Sequence, residues 1–352
     1  MLYDLARPFI FALDAEKAHG LTIAGLKTLP LGPAPKSDPI LATIVAGLNF
    51  PNPIGMAPGF DKNGEVPDAL IRMGFGFTEV GTLTPQPQPG NPKPRIFRLA
   101  KDRAVINRLG FNNDGQESAV PRLKRMRGRM GKGVLGINIG ANKDSEDRIA
   151  DYVIGVRNMA PLADYLTVNI SSPNTPGLRA LQDKGALEEL LCAVMEARDM
   201  EELGNRKVPV FLKVAPDLEP ADIDDIVDVS LKQNIDALIV SNTTITRPSL
   251  KSVSKDETGG LSGAPLKDLA LQRLKDFRTA SSGKIPLIGV GGIANAQDAY
   301  ERIKAGASLV QLYTAMIYEG PMMARSMNCG LARLLKRDGF SSVAAAIGCA
   351  DK

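Results

Sequence analysis

Residues 286–292, Pro286-Leu287-Ile288-Gly289-Val290-Gly291-Gly292, decide the fold. An apolar run follows a proline and ends in a glycine pair, the pattern of a short buried strand that feeds a loop able to approach a ligand closely. Seven further stretches have the same character: Ile54–Pro58, Phe77–Thr82, Val134–Gly140, Tyr165–Ser171, Val210–Pro216, Ala237–Thr243 and Leu309–Ala315. Each leads into a polar or glycine-rich turn and then a helical periodicity, so the strands are parallel and joined by crossovers. Eight such units between residues 54 and 337 predict an α/β fold, a closed (β/α)8 TIM barrel. The alternative is an open, doubly wound sheet. No G-x-G-x-x-G opens the first helix, and polar residues recur at the C-terminal ends of nearly all eight strands, where a barrel builds its active site. Ile44–Phe50 adds a small hairpin beneath the barrel, and Leu83–Gly133 is too long for a plain loop, so it should hold a functional insertion and a helix.

Composition narrows the function. Of 352 residues 44% are apolar, enough for a large core, and 43 basic against 39 acidic side chains leave a net charge of +4. That charge is too thin for a nucleic-acid footprint, so the partners are small molecules or other surfaces. Cys192, Cys329 and Cys349 are odd in number and lack metal-ligand spacing, which argues against a disulfide framework or a metal centre and for a reducing, cytoplasmic setting. The chain holds a single histidine, His19. A reaction that needs a proton acceptor near neutrality must use His19 or do without the commonest general base.

His19 lies in an N-terminal segment of separate character. Phe9–Leu13 is its longest apolar run, far short of the ~20 residues that span a bilayer. Leu2, Leu5, Phe9, Ile10 and Leu13 share one face of a first helix that Pro8 should start or kink. Asp14 can cap a second helix from Ala15 to about Leu29, with Leu21, Ala24 and Leu29 on one side, closed by Pro30, Gly32, Pro33 and Pro35. Two readings stay open from periodicity: the pair packs on the main domain, or it forms a membrane-surface or lipophile-entry module.

The strand ends carry Gly59, Asp61 and Lys62; Gly81 and Thr82; Asn138; Asn169, Ser171 and Ser172; Lys213; Ser241, Asn242 and Thr243; Gly291 and Gly292; Tyr313 and Thr314. The set is rich in amides and lysines and lacks His, Cys and paired carboxylates, so it suits a planar, polar anion better than metal hydrolysis or glycoside cleavage. The glycines of strands seven and eight can admit a phosphate, of either a sugar phosphate or a flavin mononucleotide. Lys213 interrupts Val210-Phe211-Leu212-Lys213-Val214 and must face inward, where an ammonium needs an anion. It can form a Schiff base or hold negative charge on a reduced flavin. An inner salt bridge is the weaker reading, because the neighbouring strand ends offer few carboxylates beyond Asp61. The loop Asn169–Arg179, with Pro173 and Pro176, is rigid. Together with Asn107, Asn138 and Asn242 it offers amides that can read the alternating N–H and C=O edge of a pyrimidine.

Taken together, Gly55-Met56-Ala57-Pro58-Gly59-Phe60-Asp61-Lys62, the run Gly81–Arg98, Asn107-Arg108-Leu109-Gly110-Phe111-Asn112-Asn113, Gly136–Asn142, Asn169–Arg179, Ser241-Asn242-Thr243-Thr244, Gly259-Gly260-Leu261-Ser262-Gly263 and Gly289–Ile293 resemble the dihydroorotate dehydrogenase family, in its quinone-dependent, membrane-associated class 2 branch. The likeness covers nearly the whole chain and includes the N-terminal helix pair.

The resemblance implies oxidation of (S)-dihydroorotate to orotate in de novo pyrimidine biosynthesis, with FMN taking hydride at N5 and a base removing the C5 proton. Ser172 occupies the position of that base, where class 1 enzymes carry cysteine; a serine needs a hydrogen-bonded relay, for which Thr175 is a candidate. Substrate contacts would be Lys62 for the carboxylate, Asn107, Arg108, Leu109, Gly110 and Phe111 as wall and lid, and Asn169, Asn174, Asn242 and Thr243 for the ring. FMN contacts would be Pro58, Gly59, Phe60, Asp61, Lys62, Thr82, Asn138, Asn169, Lys213, Ser241, Gly263, Gly292, Tyr313 and Thr314, and no metal is implied. Residues 1–36 would form the membrane-associating, quinone-entry module, with His19 and Arg98 in the tunnel, and residues 37–352 the FMN barrel. Ubiquinone or menaquinone would be the acceptor and the cytoplasmic face of the membrane the setting, without nucleic acid. Pro58 stands where alanine is common and Ser241 where threonine is frequent, changes at backbone-contact or hydroxyl positions. Two alternatives remain: another FMN barrel that reduces pyrimidines, and a barrel kept as a non-catalytic binding protein.

Overall fold

The structure, a computed structural model, describes residues 2–201, 203–204 and 206–351. Met1 of the expected helix module and Lys352 of the expected barrel domain lie outside them, as does the side chain of Leu2. In chain order the helices are α1 (Leu2–Ala12), α2 (Ala15–Thr28), α3 (Pro67–Arg72), α4 (Gln116–Arg127), α5 (Arg148–Met159), α6 (Lys184–Asp199), α7 (Pro220–Lys232), α8 (Lys267–Ala280), α9 (Ala296–Lys304), α10 (Thr314–Glu319) and α11 (Met323–Arg337). The strands are β1 (Thr43–Val45), β2 (Leu48–Phe50), β3 (Ile54–Met56), β4 (Phe77–Leu83), β5 (Ile96–Leu99), β6 (Ala104–Asn107), β7 (Val134–Ile139), β8 (Tyr165–Asn169), β9 (Val210–Val214), β10 (Ala237–Val240), β11 (Gly260–Gly263), β12 (Leu287–Val290) and β13 (Ala307–Leu312).

Eight strands close into a barrel in the order β3-β4-β7-β8-β9-β10-β12-β13, the last returning to the first, and every pair is parallel. All eight expected strands are present, so the closed barrel stands and the open sheet falls. The antiparallel β1–β2 hairpin occupies the expected stretch. Its Val45 and Phe50 pack with Phe77, Tyr165, Phe211 and Leu309, sealing the N-terminal end so that only the opposite mouth can admit a ligand. The long segment after β4 holds β5, β6 and α4. What was not anticipated is that β11, from a loop some 150 residues later, completes a three-stranded antiparallel sheet with β6 and β5. That sheet roofs the C-terminal mouth.

The two N-terminal helices form as expected. Asp14 caps α2, its carboxylate accepting from the N–H groups of Glu16 (3.1 Å) and Lys17 (3.0 Å), which satisfies donors a helix start leaves open. Pro8 sits inside α1. The pair is held to the barrel by Tyr3, whose hydroxyl donates to the Ile317 carbonyl, by Phe11 edge-on to Tyr318 at 5.6 Å, and by buried Ala18 and Ile23. Much of the expected apolar face stays open to solvent, with Leu5 74%, Phe9 79% and Leu21 62% exposed, while Ile10 is half-buried against the cavity.

Candidate functional site

Side chains that alternate inward along each strand build the floor of the chamber. Lys213 pairs across the ladder with Asn169 and Ile239, and Asn138 with Gly81 and Thr167. An array of hydrogen bonds joins the amides. Asn169 Nδ2 donates to Thr82 Oγ1 (3.0 Å) and to Asn138 Oδ1 (3.1 Å), and the Thr82 hydroxyl donates to the same Oδ1 (2.5 Å). Ser171 Oγ donates to Asn169 Oδ1 (2.9 Å), and Asn242 Nδ2 donates to Ser171 Oγ (2.9 Å). Each bond fixes which end of the next amide is donor and which acceptor, so the array presents a defined pattern to a ligand.

Beneath it lies a carboxylate that sequence reasoning overlooked. Glu79, fully buried inside the barrel, accepts from Asn138 Nδ2 (2.7 Å), Tyr165 Oη (3.0 Å) and Gln311 Nε2 (2.6 Å). Few carboxylates beyond Asp61 were expected near Lys213, and Glu79, one layer below the strand ends, is the charge that favours its protonation. It makes no ion pair with it, however. The Lys213 ammonium has no hydrogen-bond or ion-pair partner among the described residues, and burial lowers its pKa. A buried cation in that state is a fit for a bound anion.

One cavity of about 580 Å³ runs from this floor to the helix pair. Its inner end is lined by Lys62, Thr82, Asn107, Asn169, Ser172, Asn174, Lys213, Ser241, Asn242 and Thr243, with Leu109, Gly110 and Phe111 as a wall. Gly263, Gly292, Tyr313 and Thr314 line it too. At Gly292 φ is +68° and an added Cβ would stand 2.3 Å from the Lys267 Cα; at Gly263 φ is +94° and a Cβ would meet the Arg103 carbonyl at 2.4 Å. Only glycine can take these turns, Gly292 packed against the start of α8 and Gly263 against Arg103, so the backbone that borders this part of the cavity is fixed by close packing. Lys62, donating to the Gly59 carbonyl, is lowered to about 8 by burial.

Ser172 is buried, and its Oγ accepts from the Asn174 N–H at 3.2 Å. Arg179 fixes this loop through three side-chain bonds: Nε donates to the Ser171 carbonyl (3.2 Å), Nη2 to the Thr243 carbonyl (3.2 Å) and Nη1 to Asp217 Oδ2 (3.0 Å). Thr175 Oγ1 is buried without a hydrogen-bond partner, and no direct bond joins it to Ser172. Three expected site residues keep their side chains off the cavity. The Asp61 carboxylate accepts from the N–H groups of Glu65 and Val66 (both 2.8 Å), Asn138 works through the array, and Arg108 lies 4.6 Å over the Phe97 ring and donates to Glu257.

Residues 40–335 match the family described as Dihydroorotate dehydrogenase. A protein from Novosphingobium aromaticivorans named Dihydroorotate dehydrogenase (quinone) is 62% identical over 349 residues, covering 98% of this chain and 99% of that one. The protein of that name from Erythrobacter litoralis is also 62% identical, with 99% of each chain covered. The chain belongs to the dihydroorotate dehydrogenase family. Among solved structures, the Eimeria tenella enzyme in complex with ferulenol superposes with a TM-score of 0.92 at 44% identity, covering 96% of both chains. Members of this family are flavin-dependent oxidoreductases.

For such an enzyme the outer half of the cavity is as telling as the inner. Tyr3, Phe11, Ala15, Leu21 and Leu26 line it, and His19 stands at the join. The His19 ring lies edge-on to Phe60 at 5.4 Å, with Nδ1 3.3 Å from the Tyr313 hydroxyl. Burial first, and then the Lys62 charge, lower its pKa to about 3, so the imidazole is neutral at physiological pH. Arg98, on β5, donates to the Leu13 (2.6 Å) and Ile10 (3.2 Å) carbonyls at the end of α1 and lies 5.0 Å over the Phe11 ring. These bonds complement the negative end of the helix and tie α1 to the roof.

Proposed function

We propose that the chain oxidises dihydroorotate to orotate in pyrimidine biosynthesis and passes the electrons to a membrane quinone, using FMN. The observation that carries the reading is one continuous cavity, with an amide array and a buried lysine that has no hydrogen-bond or ion-pair partner among the described residues at one end, and an apolar helix pair at the other. Bound FMN supplies the two-electron acceptor. Lys213 would hold the negative charge that reduction brings, and Gly263, Gly292, Tyr313 and Thr314 the phosphate. Lys62 would anchor the substrate carboxylate, while Asn107, Asn169, Asn174, Asn242 and Thr243 meet the ring. Ser172 Oγ, oriented by the Asn174 N–H it accepts from, would receive the C5 proton as its own hydroxyl proton passes on through a hydrogen-bonded relay to solvent. The Arg179 grip keeps that loop in place, so the proton acceptor and the ring amides hold one geometry.

Residues 1–36 would be the lipid-facing module and 37–352 the catalytic barrel. No helix of the described residues is long and apolar enough to cross a membrane. Leu5, Phe9, Leu13, Leu21 and Leu29 are exposed on these two helices, and burying each in lipid would be worth up to about 1.5 kcal/mol at its partial exposure, which supports peripheral attachment, with the cytoplasmic face as the proposed side. Quinone, ubiquinone or menaquinone, would enter between α1 and α2 past Arg98 and neutral His19. The test is optical. The purified protein should be yellow, dihydroorotate should bleach it, and a ubiquinone analogue should restore the colour where fumarate and NAD do not. A colourless protein, or one that dihydroorotate leaves unbleached, sinks the reading.

A further inference from the structure

Glu16 and Arg95 form an ion pair to which the chemistry above assigns nothing. The Arg95 side chain is 6% exposed. Its Nε and Nη2 donate to the two carboxylate oxygens of Glu16 at 3.1 and 2.7 Å, and its Nη1 donates to the carbonyls of Pro89 (2.6 Å) and Asn91 (2.8 Å). Glu16 lies in the first turn of α2, on the apolar side of the cavity. Asn91 reaches the opposite side: Nδ2 donates to the carbonyls of Arg108 (3.0 Å) and Asn174 (3.2 Å), and its N–H to that of Leu109 (3.0 Å). Those carbonyls belong to the two segments that hold Asn107, Phe111, Ser172 and Asn174 against the pyrimidine. The joint has no slack, since Gly90 sits at φ +77° with the position of a Cβ 2.3 Å from the Leu109 carbonyl oxygen.

We infer that Glu16 and Arg95 are a positioning pair that couples the lipid-facing helices to the dihydroorotate loops. Seating α1 and α2 on a lipid surface thereby tightens the hold on the pyrimidine acid. The inference rests on the division of the cavity proposed above. A buried guanidinium that loses its forked carboxylate either follows it, dragging the carbonyls of residues 89 and 91, or stays uncompensated; both loosen the loops. The coupling is reciprocal, so a bound pyrimidine acid must also strengthen attachment to lipid. The charges of the pair also reach Lys62, Glu16 favouring its protonated form and Arg95 opposing it.

The experiment titrates orotate into the flavin-loaded enzyme, reading flavin absorbance, with and without phosphatidylcholine–phosphatidylglycerol vesicles, alongside vesicle co-sedimentation. The native protein should bind orotate about fivefold more tightly on vesicles. Glu16→Gln should still sediment with vesicles yet bind orotate equally with and without them. Arg95→Lys, which keeps the charge and loses the fork, should behave the same way. Lys93→Ala removes an exposed cation 3.3 Å from Glu16 and should keep the full vesicle effect. A native protein that sediments without any change in orotate affinity overturns the coupling, as does a full vesicle effect in both Glu16→Gln and Arg95→Lys. A native protein that fails to sediment removes the lipid reading and the coupling with it, whereas one that shows no spectral response to orotate strikes the proposed substrate.

Discussion

Replacing His19 with glutamine should remove a pH dependence of stability that the native chain shows between pH 7.5 and pH 5. In the folded protein the imidazole pKa is lowered from 6.5 to about 3, chiefly by burial against Phe60 and Tyr313. The unfolded chain therefore takes up a proton below pH 6.5 that the folded chain refuses, so stability is full above that pH and is lost as pH falls towards 3. At pH 5 the gap is about 1.5 pH units, which corresponds to about 2 kcal/mol; the partial opening of the cavity to solvent discounts this to about 1–2 kcal/mol. The assay is urea unfolding followed by far-UV circular dichroism at pH 7.5 and pH 5, on the native protein and on His19→Gln. Every other titrating group is shared and cancels in the difference between the two proteins. The native chain should lose about 1–2 kcal/mol more than the variant on acidification. Lys62→Met should narrow that excess without abolishing it, because the lysine charge is the second cause and burial the first. Equal losses in native protein and His19→Gln would refute the assignment of His19 as a neutral, desolvated side chain.

Ser172→Ala should keep its flavin and slow bleaching by dihydroorotate about 10²–10⁴-fold in stopped flow, while an undiminished rate would remove the serine from proton transfer. Glu79→Leu leaves Asn138 Nδ2, Tyr165 Oη and Gln311 Nε2 without their acceptor, at about 1–3 kcal/mol each before relaxation, so urea unfolding should show a loss of about 3–5 kcal/mol. A loss under about 1 kcal/mol would show the carboxylate to be dispensable to the array. Gly292→Ala must place a Cβ 2.3 Å from the Lys267 Cα at a φ of +68°, and the purified protein should therefore show a reduced flavin-to-protein absorbance ratio at unchanged helix content. Removing residues 1–36 should abolish vesicle binding and slow reoxidation by quinone, with a water-soluble dye still accepting electrons; unchanged quinone kinetics would remove the helix pair from the quinone path.

The barrel was legible because each strand announces itself locally. Ala237–Val240 and Leu287–Val290 are short, β-branched and bounded by turn residues, so period and punctuation agree. The α2 cap was legible for the same reason, as Asp14 and the N–H groups it meets are two and three residues apart. The roof was not. Gly260-Leu261-Ser262-Gly263 has neither alternation nor β-branched residues, and it becomes a strand only because β6, some 150 residues earlier, offers it a partner. Arg95 and Asn91 were invisible in the same way: in a proline-rich stretch they read as loop, and their meaning lies in carbonyls supplied by three separate segments.

Glu79 was missed for another reason, and it bears on how the site works. The rule that singled out Lys213, a charge inside an apolar strand, applies equally to Phe77-Thr78-Glu79-Val80, yet attention to strand ends passed over a residue one layer deeper. The two charges differ in what completes them. Glu79 is satisfied by three protein donors and is thus part of the folded barrel, whereas Lys213 has no such partner among the described residues and awaits one. Those neutral donors keep the Glu79 carboxyl from a direct ion pair with Lys213, although its charge still favours the protonated lysine. An anion that arrives there meets an ammonium that no carboxylate among the described residues touches directly. The barrel thus spends its buried acid on orienting Asn138, and through it Thr82 and Asn169, and keeps its buried base free for the ligand.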